Sequence, residues 1–325
     1  MKNIAIVCGG NSGEYEISIS SASVVADNID KAKYRCYRII IKGTNWYYEN
    51  RDGKRVEVDK NDFSLFEDGK KIQFDGIFNV IHGTPGEDGK LQGYFDMLGL
   101  PYTSCSHDAS ALTFNKYLCN RFVSSFGIAT ADSVSYLKGE KVDKALLVER
   151  LGFPMFVKPA ESGSSVGITR VIDESGIDNA IAFAFAESDR VIVEENIKGR
   201  EIACGVFLKG QEMIVLPLTE IVTKNDFFDY EAKYTHGLSD EITPAGLDME
   251  KEQDIKSLSA FLYKQFDCKG VVRFDYILTE TQLYFLEVNT IPGMSEASII
   301  PKMVEAFGMS SREFFTVAVD NLFEE

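Results

Sequence analysis

The sequence predicts an α/β protein that opens with a doubly wound, parallel-sheet domain. Residues 4–8, Ile-Ala-Ile-Val-Cys, form a short apolar run that ends in Gly9-Gly10-Asn11-Ser12-Gly13-Glu14 and leads into a helix-like stretch, Ser18–Ile29. Strand, glycine turn and helix is the opening of a doubly wound unit. A second apolar run, Phe74–Ile81, passes directly into the loop His82-Gly83-Thr84-Pro85-Gly86-Glu87-Asp88-Gly89 and then a Gln92–Leu98 helix. Polar loops after strand ends are where open α/β sheets bind ligands. Finally, 325 residues is long for one core, and two or three domains are expected.

With 45% hydrophobic and 26% charged residues the chain has the make-up of a soluble globular protein. Its net charge of −16 argues against nucleic-acid binding, which needs a basic footprint. That charge still allows an anionic ligand held by a few local cations. No apolar run approaches the roughly 18 residues of a membrane span. Met1-Lys2-Asn3 runs straight into a strand without a cleavable signal, so a cytoplasmic protein with no membrane partner is expected. The six cysteines form no CxxC pair and read as buried free thiols, and the three histidines lack zinc-ligand spacing.

The first glycine turn lacks the GxGxxG spacing of a dinucleotide site. It reads either as a plain βα turn or as one that aims Glu14 at a ligand. Residues 34–48 read as a strand and a turn, and 49–73 as charged and irregular. The polar stretch Thr103–Asp108 marks a boundary. Leu112, Tyr117, Leu118, Phe122, Val123 and Phe126 recur at helical spacing and predict one helix over 109–126, stopped by Gly127. Lys116 lies within it, by default a solvated lysine. A second helix covers 143–151.

The strand 154–157 carries Lys158-Pro159, then a Ser/Gly loop, 160–167, that includes Ser164 and Ser165, and a return strand, 168–171. Such a loop offers backbone N–H groups to phosphate oxygens. Because the lysine precedes the loop this is no Walker A motif, and a hairpin flap over a nucleotide fits better than a flexible loop. A helix over 175–187 and a strand over 191–193 follow, the strand ending in Glu194-Glu195-Asn196-Ile197. There a peptide edge could take an adenine and a carboxylate a ribose. Residues 224–246 are aperiodic and hold Phe227, Phe228, Tyr230, Lys233, Tyr234 and His236, which suits an active-site lid better than a spacer. An amphipathic helix covers 249–266, and 301–323 is a final helical region.

The stretch Gly270–Ser298 holds two apolar runs joined by Thr279-Glu280-Thr281-Gln282, the pattern of a β-hairpin. Glu287 and Asn289, two apart on one run, share a strand face, and a partner strand could set Asp275 opposite them. Three oxygen-bearing side chains on one face suit a hard cation such as Mg²⁺. With Arg273 beside Asp275, metal-bound phosphate chemistry is one reading and a solvated strand face the other.

HGTPGEDGKLQGYFDMLGLPYT (82–103), FVKPAESGSSVG (156–167), FFDYEAKY (227–234), RFD (273–275) and EVNTIPGMSEAS (287–298) together carry a resemblance. Their order and spacing, over nearly the whole chain, resemble the D-alanine–D-alanine ligases of the ATP-grasp superfamily. The resemblance implies that the first domain is followed by a two-lobed ATP-grasp fold of α+β character. The expected division is 1–104, an α/β substrate-binding domain; 105–193, a central lobe with the phosphate flap; and 194–325, a lobe with the metal site and lid.

It further implies ATP-dependent joining of two D-alanines through an acylphosphate, for peptidoglycan synthesis. Lys116, Lys158 and Lys233 would hold phosphates, with Ser164 and Ser165 in the flap. Glu194, the backbone at Glu195 and Ile197, and Glu201 would contact adenine and ribose, with Phe156, Phe227, Ile277 and Leu286 around the adenine. Asp275, Glu287 and Asn289 would hold two Mg²⁺ ions, with Mn²⁺ a substitute. Glu14, supported by His82 and Glu87, would take the first D-alanine, and Ser298 and Ile299 the second. Glu14, Ser164 and Tyr234 would form a network across lid and flap, and Arg273 with the Gly293 backbone would stabilise the oxyanion. A homodimer is implied as well. The chain departs from the family at Asn115, where aspartate is frequent, at Ser104-Cys105, where glycine follows the PYT, and at Ala297, where histidine is common. Tyr234 favours an amine acceptor. The alternatives are a D-serine or D-lactate acceptor, a non-catalytic nucleotide-binding module, and a nicotinamide oxidoreductase.

Overall fold

The computed structural model describes residues 1–50, 52–163, 166–223 and 239–324. The apolar run at the N-terminus becomes β1 (Lys2–Gly9), with Ile4 to Val7 fully buried. Continuous apolar sequence is what a strand covered on both faces needs. It lies between β2 (Tyr34–Lys42) and β7 (Gly76–Asn79), parallel to both. Helix α1 (Tyr15–Asn28) packs on one face through Ala22 and Val25, and α2 (Lys90–Leu98) on the other through Leu91 and Phe95. Helices on both faces make this a doubly wound unit.

Residues 45–72, expected to be a turn followed by an irregular stretch, are instead an antiparallel extension of this sheet. Strands β3 (Asn45–Glu49), β4 (Arg55–Asp59), β5 (Ser64–Glu67) and β6 (Lys70–Ile72) extend it in the order β6-β5-β4-β3-β2-β1-β7. Its apolar positions are too sparse to read as a pattern, yet Val58, Phe63 and Leu65 are buried against Phe95 and Phe74. Non-local packing decided these short strands.

The predicted helix over 109–126 is two helices, α3 (His107–Phe114) and α4 (Lys116–Ser124). Asn115 between them is extended, and its side chain accepts from Leu118 N at 3.0 Å, capping α4. Its amide also donates to Glu161 Oε1 at 2.6 Å, and Lys116 N donates to Ala160 O at 2.8 Å. Asparagine competes with the helix ladder in this way, and the break sets Lys116 at the N-terminus of α4.

A second sheet has the order β10-β9-β11-β8, from β8 (Ser133–Leu137), β9 (Met155–Pro159), β10 (Thr169–Val171) and β11 (Arg190–Glu195). Helices α5 (Lys144–Leu151) and α6 (Ile177–Ala184) cover it. The third sheet has the order β15-β14-β12-β16-β17, with β13 (Glu212–Val215) also paired to β12 (Arg200–Lys209). It is built from that strand, β14 (Thr219–Thr223), β15 (Ser239–Ile242), β16 (Val272–Leu278) and β17 (Leu283–Asn289). Part of the stretch read as an aperiodic lid is thus strand β15; residues 224–238, with Phe227, Lys233 and Tyr234, lie outside the described residues.

One face of the third sheet packs on α7 (Met249–Gln265) and also on α3 and α4 and the turn before them, through Cys105, Ala109, Cys119 and Val123. These four residues belong to the core of the third sheet, while Asn115 and Lys116 are tied to Glu161 and Ala160 of the loop after β9. On the other face lies α8 (Ile299–Phe307), followed by α9 (Ser311–Asp320). A Cβ on Gly205 would stand 2.8 Å from both Ile300 Cδ1 and Leu216 Cδ1, so glycine lets α8 approach the sheet closely. Among the described residues no helix is long and apolar enough to cross a membrane.

Candidate active site

The hairpin forms as expected, with its turn at 279–282. Asp275 pairs directly with Glu287 and Arg273 with Asn289, which puts all four on one face. Across β16, Glu201 pairs with Ile277, Ala203 with Asp275 and Gly205 with Arg273. Between Asp275 and Tyr276 the register slips, and Leu286 is the extra residue of a β-bulge. Leu286 is half-buried and outside the core cluster that holds its neighbours Phe285 and Val288.

Asp275 is only 2% exposed. Arg273 grips it with Nε to Oδ1 at 2.8 Å and Nη2 to Oδ2 at 2.8 Å, and Asn289 Nδ2 donates to Oδ2 at 2.9 Å. Burial opposes the Arg273 charge. Asp275, with Glu287 and Glu201 further off, more than restores it, and the guanidinium is held above its ordinary pKa.

A cavity of about 370 Å³ opens on this face. Arg273, Glu287 and Asn289 line it from the sheet; Gly293, Ser298 and Ile299 line it from the loop entering α8. Glu14, His82 and Glu87 come from the first unit, and Lys116 from the head of α4. Glu14 occupies the cap position of α1, but its side chain makes no capping bond. Its Oε2 lies 3.1 Å from where a Cβ on Gly163 would stand, so it meets the Ser/Gly loop. Glu87 accepts from Gly83 N at 3.0 Å. Burial pushes its carboxyl up to about 7, and the charges of Glu14 and Glu287 add to this. Lys116 Nζ donates to Ser162 O at 2.8 Å.

His82 is buried, and its Nδ1 lies 2.8 Å from Ile291 O. A carbonyl can only accept, so Nδ1 carries the proton that meets it. Nε2 is buried without a partner, as are Ser162 Oγ and Thr290 Oγ1. These three belong to residues of the cavity wall, and only Gln92 Oε1 joins them among the described residues. Buried polar atoms are rarely left unsatisfied, so orphans gathered at one cavity point to a polar ligand.

Apart from Lys116, the described residues expected to hold the nucleotide lie outside this cavity wall, on or beside two sheets. On the second, Phe156 and Lys158 of β9 share a face with Glu194 of β11. Lys158 Nζ donates to Glu194 Oε2 at 2.5 Å and sits 5.6 Å from the Phe156 ring centre. Burial works against its charge, but Glu194, Glu287 and Glu201 outweigh it and hold Lys158 above its ordinary pKa. Glu287 and Glu201 belong to the third sheet, so this lysine stands close enough to that sheet's face to feel its charges. Glu195 closes β11, with its N–H on Asp132 O at 3.0 Å and its Oε1 accepting from Asp132 N at 2.8 Å. Ile197 lies in the turn into β12. Glu201, Ile277 and Leu286 are on the third sheet. Ser164 and Ser165, with Phe227, Lys233 and Tyr234, lie outside the described residues.

Glu287 and Asn289 face the cavity, whereas Asp275 is held by Arg273 and Asn289 and is not part of the cavity wall. Among the described residues no group of three His, Cys, Asp or Glu side chains forms a metal cage. Two carboxylates and an amide oxygen on one face are the set Mg²⁺ takes when phosphates and water complete its shell. Sequence reading missed Ser162, Thr290 and Glu241 in the cavity wall. Thr290 directly follows Asn289, and its position was the available signal. Glu241 carried none, because its place is set by Lys302 of α8, whose Nζ donates to its Oε2 at 2.6 Å.

The whole chain superposes on solved ligases. A D-Ala:D-Ser ligase from Enterococcus faecalis matches with a TM-score of 0.87 and 36% identity, covering 99% of each chain. D-alanyl-alanine synthetase A from Vibrio cholerae matches with a TM-score of 0.88 and 29% identity, covering 99% of this chain and 98% of the other. Three sheets so arranged, with a charged cavity on the third, define an ATP-grasp ligase. Profiles of the D-ala D-ala ligase N-terminus and C-terminus match residues 3–105 and 122–320. A D-alanine–D-alanine ligase of Parabacteroides distasonis is 46% identical over 98% of this chain and 97% of its own length. The chain belongs to the D-alanine–D-alanine ligase family, whose members are ATP-dependent ligases.

Proposed function

We propose that this protein joins two D-alanines, with ATP turned over to ADP and phosphate, to supply D-alanyl-D-alanine for peptidoglycan synthesis. One observation carries the reading. A single cavity gathers the carboxylates of Glu14 and Glu87 from the first unit and Arg273, Gly293 and Ser298 from the third-sheet unit. Such a cavity suits two small zwitterions set end to end.

The first D-alanine's ammonium sits at Glu14, with His82 and Glu87 supporting the site. Its carboxylate oxygen attacks the γ-phosphorus of ATP and ADP departs, leaving D-alanyl phosphate. Lys116, Lys158 and Lys233 hold the phosphates, under a flap that includes Ser164 and Ser165. Phe156, Phe227, Ile277 and Leu286 surround the adenine, with Glu194 and the backbone at Glu195 and Ile197 on its edge, and Glu201 takes the ribose. Asp275, Glu287 and Asn289 would hold two Mg²⁺ ions, for which Mn²⁺ could substitute and which would supply charge against the phosphates.

The second D-alanine's carboxylate lies at Ser298 and Ile299, where the N-terminus of α8 favours an anion. Its neutral amine attacks the acyl carbon. The C–N bond forms, the C–O bond to phosphate breaks, and the amine's proton is taken up by the departing phosphate. Arg273 and the Gly293 N–H take the oxyanion, a donor role worth about 10²–10³ in rate. Glu14, Ser164 and Tyr234 link lid, flap and first unit, and exclude water from an intermediate that hydrolyses readily.

The protein works in three units, 1–104, 105–193 and 194–325, as a cytoplasmic homodimer. Light scattering tests the dimer. The activity is tested with purified protein, ATP, Mg²⁺ and D-alanine at neutral pH; absence of both ADP and dipeptide would overturn the reading. Likeness to a D-Ala:D-Ser ligase favours D-serine as the second reading for the acceptor. Competition of D-serine and D-lactate with D-alanine across pH separates these, because a hydroxy acid gains as protonation removes free amine.

A further inference from the structure

Gly293 sits in a segment, 290–298, with no ladder of its own between β17 and α8. No regular hydrogen bonding fixes the direction of its N–H, so that direction depends on outside ties. Two such ties bracket it, and both come from the first unit. On one side, His82 Nδ1 donates to Ile291 O at 2.8 Å, across 209 residues of sequence. On the other, Met294 N donates to Ser21 Oγ at 3.3 Å, across 273 residues. Both ties are buried: His82 is 4% exposed, Ser21 0%, Ile291 and Met294 5% each. His82 is itself held from behind, since Ser12 Oγ donates to His82 O at 2.8 Å. Ser298 leaves no room for a Cβ on Gly293, whose built position would be 2.6 Å from Ser298 Oγ.

We infer that His82 and Ser21 are positioning residues for the acyl-transfer step, clamping the 291–294 segment so that the Gly293 N–H meets the developing oxyanion. The unit that receives the first amino acid thereby also sets the donor that stabilises its attack by the second. This rests on the reading of Gly293 as an oxyanion donor. The two half-reactions respond differently to the clamp. Phosphoryl transfer onto the first carboxylate does not use the Gly293 N–H, whereas capture by the amine does. A loosened clamp leaves D-alanyl phosphate formed but uncaptured, and water then returns it to D-alanine and phosphate. ATP is consumed without dipeptide.

The test measures ADP and dipeptide side by side, at saturating ATP, Mg²⁺ and D-alanine, in His82→Gln, His82→Asn and Ser21→Ala. Asparagine places an amide N–H near the Nδ1 position and lacks Nε2; glutamine does the reverse. His82 also supports the first D-alanine, so His82 variants are read as dipeptide formed per ADP, a ratio that His82→Gln should lower about 10- to 100-fold, the scale of a misplacement of about 1 Å. Ser21→Ala should uncouple several-fold in the same sense, and His82→Asn should keep ADP and dipeptide close to step. A thermal melt shows whether each variant is folded. Should His82→Gln fail to fold, Ser21→Ala decides, since it removes one oxygen from a helix. The inference is overturned if ADP and dipeptide fall together in Ser21→Ala and His82→Gln, or if His82→Asn uncouples as much as His82→Gln. A wild-type protein that made no dipeptide would instead overturn the proposed function.

Discussion

Glu87 offers a direct test of the electrostatics of the cavity. Its carboxyl is pushed from the ordinary 4.5 up to about 7, first by burial and then by the charges of Glu14 and Glu287, against the opposing Gly83 N–H and Lys116. In the unfolded chain the same group ionises at its ordinary value. The native protein therefore binds more protons than the unfolded one between pH 4.5 and about 7, and stability falls as pH rises through that window. Beyond it the loss is complete and constant. The gap between 4.5 and about 7 corresponds to about 3 kcal/mol, an upper figure because the cavity wall is partly solvated. Glu87→Gln keeps an oxygen for Gly83 N–H and never ionises. It should match the wild type near pH 4.5 and exceed it by up to about 3 kcal/mol near pH 8. Urea unfolding without ligands, followed at several pH values, reads this as a difference in midpoint. Wild-type and variant curves that run parallel across the whole range would refute the reasoning.

Other perturbations follow from the same geometry. Lys158→Met leaves the buried Glu194 carboxylate without its lysine, which costs about 3–5 kcal/mol. Adding Glu194→Gln should recover part of that in a thermal melt, and no recovery would count against a buried pair. Gly205→Leu drives a side chain into Ile300 and Leu216 and should cost about 1–3 kcal/mol while shifting α8. Steady-state kinetics should then show a raised KM for the acceptor with the KM for ATP little changed. A chelator should abolish both ADP and dipeptide formation yet leave the melting temperature of the ATP-free protein unchanged, because a cation shared with ATP phosphates leaves with the nucleotide. A large drop in that temperature would argue for a resident structural ion.

Much of this protein was legible in order along the chain. Continuous apolar runs gave away β1 and β7, since strands covered on both faces have no polar side to show. The hairpin was equally plain, because period-two alternation alone puts Glu287 and Asn289 on one face. Loop chemistry after strand ends picked out Glu14, His82 and Glu87, which the cavity gathers with Arg273 and Ser298.

Tertiary structure decided the rest. Strands β4 to β6 exist because Phe63 and Leu65 find Phe74 and Phe95, residues distant in sequence. The break at Asn115 depends on Glu161 and Ala160 lying across it, and without them helical spacing favours one continuous helix. Orphaned Ser162 and Thr290, and Glu241 tied to Lys302, enter the cavity through contacts that no local pattern encodes. The clamp on Gly293 is the extreme case. Local sequence determined that a glycine stands in that loop; only packing of the first unit against it, through His82 and Ser21, decided where its N–H is held, because a hydrogen bond across 209 residues leaves no trace in local periodicity.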